Sequence, residues 1–307
     1  MTRVVFLLAP DVVLLDVAGP AQVFYTAGSA GANYELSYVA EHPLIPTGQG
    51  VPLVADLEWP ELQADDIIFV PGWRSPLEPR SGAFHPETLR RLVQHHERGG
   101  TVVSVCSGAF ALGRAGLLDG RRCTTHHELQ DELAARNPWA HVVPDVLFTT
   151  DDRVQTSAGI ASGIDLALHI LEQRNGPAVA TQVARGMVVF ARRNGDAAQL
   201  SVMLRYRSHV DELVHRVQDH IDENFSDVLP LATLASVAKA SPRTVTRAFA
   251  NATGITPLQY QQLLRQERAE LLIDQGATID AAAREVGYET GRMLRRLRQQ
   301  GAPQRTA

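Results

Sequence analysis

Residues 230–260, PLATLASVAKASPRTVTRAFANATGITPLQY, leave this chain little choice of local fold. Leu231, Leu234, Ala235 and Ala238 recur at i, i+3, i+4 and i+7, the spacing of one buried face of a short helix that Pro230 introduces. A second helix follows almost at once. Ser241 is a good N-cap, and Pro242 stands at the first helical position, where its missing N–H costs nothing. Pro242 to about Asn251 is therefore predicted to be helical, with Val245 and Phe249 turned inward. Two short helices joined by about three residues cross steeply and leave the second one protruding. Its outward face carries Arg243, Thr244, Thr246, Arg247 and Asn251. Arginine makes bidentate bonds to guanine, and threonine bonds base edges or touches the thymine methyl, so this face is equipped to read a major groove. A plain helical hairpin with a solvated face is the other reading of the same residues.

The flanks favour the first reading. Upstream, Val210, Leu213, Val214, Val217 and Ile221 make an amphipathic helix; downstream, Tyr260, Leu263, Leu264, Leu271 and Leu272 make a longer one that ends at Gly276. A second candidate pair follows, Ile279 to Val286 and Glu289 to about Arg298. The segments SPRTVTRAF, ATGITPLQY and RQERAELLI resemble the first half of an AraC/XylS-type DNA-binding domain, and IDAAAREVGYETGRMLRRL resembles its second half. The resemblance implies two helix-turn-helix units, with base-facing Arg243, Thr246 and Arg247 in the first and Gly291, Arg292, Arg295 and Arg296 in the second. It also implies double-stranded promoter DNA as a partner, with RNA polymerase and a second copy of the chain as further ones.

The second unit departs from that pattern. Arg298 stands where the family has a buried Phe, and QQGAPQRTA follows where the first copy has Gly254, Thr256, Pro257 and Tyr260. An arginine fills such a position only by carrying its charge into the core. The second reader is therefore predicted to be divergent and weakly anchored, supported by Val286, Tyr288, Met293, Leu294 and Leu297.

With 307 residues, 45% hydrophobic and 21% charged, the chain has the composition of a globular protein with room for two domains. A net charge of −5 argues against a nucleic-acid binder until its distribution is read. Residues 231–307 hold eleven Lys/Arg against six Asp/Glu, leaving an excess of ten negative charges on residues 1–230. The basic surface belongs to the C-terminal module, and the acidic body is unsuited to approach DNA. The apolar N-terminus RVVFLLAPDVVLLDVAG is broken by Asp11 and Asp16 and has no clean cleavage pattern, so a cytoplasmic protein with no membrane partner is expected. Cys106 and Cys123 are too few for a disulfide framework.

In the first two thirds, short apolar runs alternate with helical patterns. Val4 to Leu8, Tyr34 to Ala40, Asp66 to Val70 and Thr101 to Val105 read as strands, with Gly19 to Tyr25 and Pro86 to Arg98 as helices between them. Continuous hydrophobicity in IIFV and TVVSV predicts strands covered on both faces, hence an α/β fold with a mostly parallel, flavodoxin-like sheet. TVVSVCSGAFALGRAGLLDG reads as a strand that ends at Cys106 and turns through Ser107 and Gly108 into a helix, the pattern of a nucleophile elbow. Such a turn places Cys106 where open α/β sheets bind ligands. A small buried residue at a tight turn is the plainer reading of Cys106.

This region resembles the ThiJ/PfpI-like, class I glutamine-amidotransferase-like fold. FLLAPDVVLLDVAGPAQVF, IIFVPGW, VCSGAFALGRAGLLDGRRCTTHH and TSAGIASGIDLALHIL resemble in particular the ligand domain of GlxA-type regulators, over about residues 3–200. The resemblance pairs Cys106 with Asp16, which either orients a thiolate or raises the thiol pKa, and the sign is not legible in sequence. It implies a small-molecule effector held by Asp16, Cys106, Ser107 and His126 in a ligand domain over 1–195, a linker over 196–209 and a DNA-binding domain over 210–307. Catalysis is not expected: protease-like relatives carry His directly after the Cys, and here Ser107 stands there. A cysteine-dependent enzyme, isocyanide-hydratase-like and using Cys106, Asp16 and His126, is the alternative, and a redox sensor using Cys106 and Cys123 is a third. No cofactor is implied. Metal binding is not expected either, since His95, His96 and Glu97 are consecutive on one helix and therefore point to different faces.

Overall fold

The computed structural model describes residues 1–73, 83–189, 193, 195, 199, 201–274 and 276–301, with the side chains at 204, 274 and 298–301 excepted. The chain divides into two units, Met1–Gln199 and Leu200–Ala307.

The first unit is built on a six-stranded sheet. Its strands are β1 (Thr2–Leu8), β2 (Tyr34–Ala40), β5 (Ile67–Val70), β6 (Thr101–Val105), β9 (Phe148–Asp151) and β10 (Val154–Ser157), in the order β2-β1-β5-β6-β10-β9. Every pair is parallel except β9 with β10, a hairpin that the sequence reading did not anticipate. Two minor pairs, β3 (Leu44–Ile45) with β4 (Leu53–Val54) and β7 (Arg122–Cys123) with β8 (His141–Val142), lie outside this sheet.

Both faces of the sheet are covered, which explains the unbroken apolar runs. Val4, Phe6, Leu8, Ile67, Phe69, Val103 and Val105 point to one side, where α1 (Leu14–Ala27), α5 (Ala161–Asn175) and α6 (Pro177–Gly186) supply Phe24, Leu166 and Val183. Val5, Leu7, Ile68, Val70 and Val102 point to the other, against Leu89 and Leu92 of α2 (Pro86–Glu97), Phe110 and Leu112 of α3 (Ala109–Arg114) and Leu133 of α4 (Gln130–Arg136). Successive residues of one strand therefore feed different cores, as the pleat requires.

The second unit is all helical: α7 (Val202–Tyr206), α8 (Glu212–Glu223), α9 (Leu231–Ala238), α10 (Pro242–Thr253), α11 (Pro257–Asp274), α12 (Ile279–Glu285) and α13 (Gly291–Gly301). The α9–α10 pair is a helix-turn-helix. Lys239 turns the chain with φ 53°, and the Ser241 hydroxyl accepts the Thr244 N–H at 3.2 Å. Val245 and Phe249 are fully buried, and Gly254 ends α10 in the left-handed region at φ 75°. One apolar cluster joins α8, α9, α10 and the start of α11 around Phe249 and Tyr260; a smaller one, dominated by alanine, joins the end of α11 to α12 and α13.

Several local expectations fail. Val210 is 96% exposed, because α8 starts two residues later with Asp211 accepting the Val214 N–H as its cap. Met293 is 46% exposed and lies outside the small core, whereas Leu294 is fully buried in it. The Arg298 side chain lies outside the described residues. Within the stretch expected to act as a linker, α7 and the residues after it are built into the second unit. The Tyr206 ring lies edge-on to Tyr260 at 6.1 Å, fully buried Gln218 donates to the Tyr206 carbonyl at 2.7 Å, and Arg207 pairs with Asp219 at 2.8 Å and with Asp222.

Candidate functional site

The loops around Cys106 all leave the carboxyl ends of parallel strands, where open α/β sheets bind ligands. Asp16 lies in the first turn of α1, which follows β1; Gly72 and Trp73 follow β5; Cys106 follows β6; Gly159 and Ile160 follow β10. Cys106 takes φ 55° and Ile160 takes φ 50°, a conformation that costs a β-branched residue most.

Asp16 is fully buried, and its two oxygens accept the N–H groups of Gly72 at 3.2 Å and Ile160 at 2.7 Å. Burial pushes its carboxyl up to about 6, with these two amides opposing the shift. Cys106 is 9% exposed, and burial, followed by the charge of Asp16, pushes its thiol up to about 12. The sign left open by the sequence is thus a raised thiol, which is protonated at neutral pH. Among the described residues no hydrogen bond joins Asp16 to Cys106, since the carboxylate faces main-chain donors instead.

The site is close-packed. A Cβ on Gly72 would lie 2.7 Å from Asp16 Oδ2 and 2.8 Å from the Cys106 Cβ, and one on Gly159, which has φ 100°, would lie 2.3 Å from that same Cβ. The Ser107 hydroxyl is engaged with the Trp73 main chain, accepting its N–H at 2.9 Å and donating to its carbonyl at 3.0 Å. Thr125 donates to the Cys106 carbonyl at 2.7 Å. Neither Thr125 nor Ile160 stood out in the sequence.

His126 is half-buried beside His127, with ring centroids 4.3 Å apart, and its Nδ1 accepts the Glu128 N–H at 3.4 Å. Desolvation, and then His127, hold its pKa below the ordinary histidine value. No hydrogen bond between His126 and Cys106 occurs among the described residues. Glu128, by contrast, adds to the raised Cys106 thiol; its one sequence signal is its place directly after the two histidines. Cys106 and Cys123 are both free and buried, and burial pushes Cys123 up to about 12 as well. No group of three metal-ligating side chains forms among the described residues: His95 Nε2 bonds the Asp66 carbonyl, and His96 faces Arg121.

On the helix-turn-helix, Arg243, Arg247 and Asn251 are exposed on α10. Among the described residues neither arginine has an ion-pair partner. The Thr246 hydroxyl donates to the Pro242 carbonyl at 3.0 Å, and that of Thr244 pairs with Ser241 at 2.8 Å, so their methyl groups and remaining lone pairs are what they offer outward. On α13, Arg292 and Arg296 are exposed and Arg295 pairs with Asp280 at 3.3 Å. Gly291 is buried, and its N–H donates to Asp280 Oδ1 at 3.1 Å, which caps the start of α13. No helix among the described residues is long and apolar enough to cross a membrane.

Residues 2–173 match the DJ-1/PfpI family, and residues 234–300 match a helix-turn-helix domain. The chain is 27% identical over 298 residues to the HTH-type transcriptional regulator GlxA of Rhizobium meliloti, covering 94% of this chain and 88% of that protein. It is 32% identical over 176 residues to isonitrile hydratase of Pseudomonas putida, covering 56% of this chain and 71% of that enzyme. The crystal structure of an AraC family transcriptional regulator from Pseudomonas putida superposes with a TM-score of 0.53 at 25% identity, over 61% of this chain and 100% of that one. With the sheet, the cysteine turn and the helix-turn-helix all in place, the chain belongs to the DJ-1/PfpI family, in the arrangement that joins this domain to a C-terminal AraC-type helix-turn-helix domain and matches the GlxA-like transcriptional regulators.

Proposed function

We propose that this regulator reads promoter DNA with α10 as first reader and α13 as second, under the control of a small metabolite held at Asp16, Cys106, Ser107 and His126. In this reading residues 1–199 are the ligand domain and 200–307, α7 included, the DNA reader, working as a homodimer that engages RNA polymerase. The observation that carries it is α10: a capped helix, anchored by buried Val245 and Phe249, that turns two arginines outward, neither with an ion-pair partner among the described residues. A solvated structural hairpin has no need of that arrangement. The turn at Cys106 acts as a nucleophile elbow in shape and as a ligand contact in use, and an effector shifts DNA binding only through unequal affinity for two states of the protein.

Selection from a pool of randomised duplexes with the full-length protein tests the DNA reading. Affinity for the selected sequence should fall steeply with salt, and Arg247→Ala should cost about 1–3 kcal/mol at one base position. Equal loss on all sequences would reduce Arg247 to a phosphate contact, and absence of any selected sequence would remove the reading altogether. The effector site is tested by a thermal-shift screen of metabolites on wild type and Cys106→Ala, because a ligand that binds only the folded form raises its stability.

A cysteine-dependent hydratase is the second reading, favoured by the similarity to isonitrile hydratase. It needs a nucleophile or base, whereas burial holds Cys106 as a neutral thiol. Turnover of an isocyanide that Cys106→Ala abolishes would establish it.

A further inference from the structure

The two helical lobes of the second unit have separate apolar cores and share the helix α11. The larger core gathers Val214, Leu234, Phe249, Tyr260 and Leu264, and the smaller one Ala269, Ala282, Ala283, Val286 and Leu294; Phe225 packs at the margin of both. Small apolar side chains hold a lobe together but are poor at fixing its angle to a neighbour, since the hydrophobic effect is non-directional. The shared helix α11 sets the coarse direction, and polar geometry fixes it further.

That geometry centres on Arg265, in the middle of α11. Its Nε donates to the Phe225 carbonyl at 2.6 Å, and one terminal nitrogen donates to the carbonyls of Ser226 at 3.0 Å and Asp227 at 2.7 Å. These carbonyls belong to the turn between α8 and α9, in the lobe of the first reader. The other terminal nitrogen donates to the Gly287 carbonyl at 3.2 Å, and the guanidinium lies over the Tyr288 ring at 5.4 Å. Those two residues form the turn between α12 and α13, the base of the second reader. Gln261, one turn earlier on α11, donates to Phe225 and Asp227 as well, at 2.9 and 2.7 Å. The two turns also meet directly: a Cβ on Gly287, at φ 82°, would lie 1.9 Å from the Ser226 carbonyl oxygen.

From this we infer that Arg265 is a positioning residue for DNA recognition: its guanidinium, bonded to the turns at the base of both lobes, sets the spacing and angle at which α10 and α13 reach the duplex. The inference rests on the reading of α13 as a second DNA reader. A planar fork with five donors suits the task, because the fixed geometry of the guanidinium bonds carbonyls from two directions at once. An ammonium on a flexible stem does not, so lysine is no substitute.

Two readers held rigidly act on DNA as linked modules, whose joint affinity depends on both half-elements being presented at the matching separation. One inserted base pair moves the second half-element by about 34° around the helix and one step along it, which a rigid reader rejects and a loosely hinged one tolerates. The experiment uses the full-length protein and a duplex selected from a randomised pool. Binding is measured to that duplex, to versions with one base pair inserted or deleted between the half-elements, and to a version in which only the first half-element is kept. For wild type the insertion should weaken binding on the order of tenfold or more. Arg265→Met and Arg265→Lys should both bind the intact duplex about as weakly as wild type binds the inserted one, and should discriminate spacing less than about threefold, with unchanged affinity for the first half-element alone.

That last measurement guards against a trivial result, because a variant whose larger lobe had unfolded would lose the first half-element too. If wild type selects a single half-element, and Arg292→Ala with Arg296→Ala leaves affinity unchanged, the second-reader reading itself is wrong. If wild type selects two half-elements but Arg265→Met keeps full spacing discrimination, that reading stands and the role of Arg265 is overturned.

Discussion

At Asp16 and Cys106 a carboxyl and a thiol are packed so closely against Gly72 and Gly159 that neither glycine has room for a Cβ, and the ionised carboxylate makes the thiol harder to ionise. The consequence for stability has a definite sign. The folded carboxyl sits at about 6 against an ordinary 3.8, so the fold favours its protonated form. The stability this group lends is complete below pH 3.8 and is lost as pH rises through about 6, about 3 kcal/mol in all. Asp16→Asn cannot ionise. Measured by denaturant unfolding of the first unit's transition, the stability of the variant relative to wild type should therefore rise between pH 4 and pH 7 by up to about 3 kcal/mol. The same substitution removes a negative charge beside the sulfur. Iodoacetamide should alkylate wild-type Cys106 slowly, with a rate still climbing at pH 10, and Asp16→Asn should react faster between about pH 7 and pH 10, where the wild-type carboxyl is ionised. A wild-type rate that levels off near pH 8 would contradict a raised thiol.

Single elements differ in how much of their support is local, and legibility follows the same line. The α10 helix was readable because its cap, its buried residues and its closing glycine all lie within a few positions of one another: Ser241, Val245, Phe249, Gly254. The strands β5 and β6 were readable because burial on both faces leaves an unbroken apolar run. What escaped were partners distant in sequence. Asp16 bonds amides 56 and 144 positions away, and Arg265 bonds carbonyls as far as 40 positions back, distances at which no spacing rule operates. The β9–β10 hairpin was missed because Thr149, Thr150, Gln155 and Thr156 interrupt the apolar pattern; Thr149 and Thr156 pair their hydroxyls at 2.9 Å. For the same reason of local support, α12 and α13 should be the less stable lobe. Three of the five fully buried residues of their cluster are alanine, whereas the α8–α11 lobe buries Phe249 and Tyr260. Their amides should exchange faster than those of α9 and α10 in the DNA-free protein, and equal protection of the two lobes would show that the small core suffices.

Across the whole molecule, the division falls earlier than the composition suggests. Val202 donates its N–H to the Glu267 carboxylate at 3.2 Å, and Tyr206 and Arg207 meet Tyr260, Asp219 and Asp222. A fragment of residues 200–307 should fold and bind DNA, whereas one of 210–307 leaves Gln218 and Asp222 without these partners and should be less stable by about 2 kcal/mol or more. Equal unfolding midpoints for the two fragments would show that α7 is dispensable. The helix α7 marks where the sensor can be separated from the reader. A chimera that takes its foreign sensor up to residue 199 keeps Tyr206 and Arg207 with the reader they belong to. One joined after His209 asks an unrelated sequence to supply an arginine for Asp222, so exchange of sensors between such proteins should succeed or fail by which side of Val202 the crossover falls.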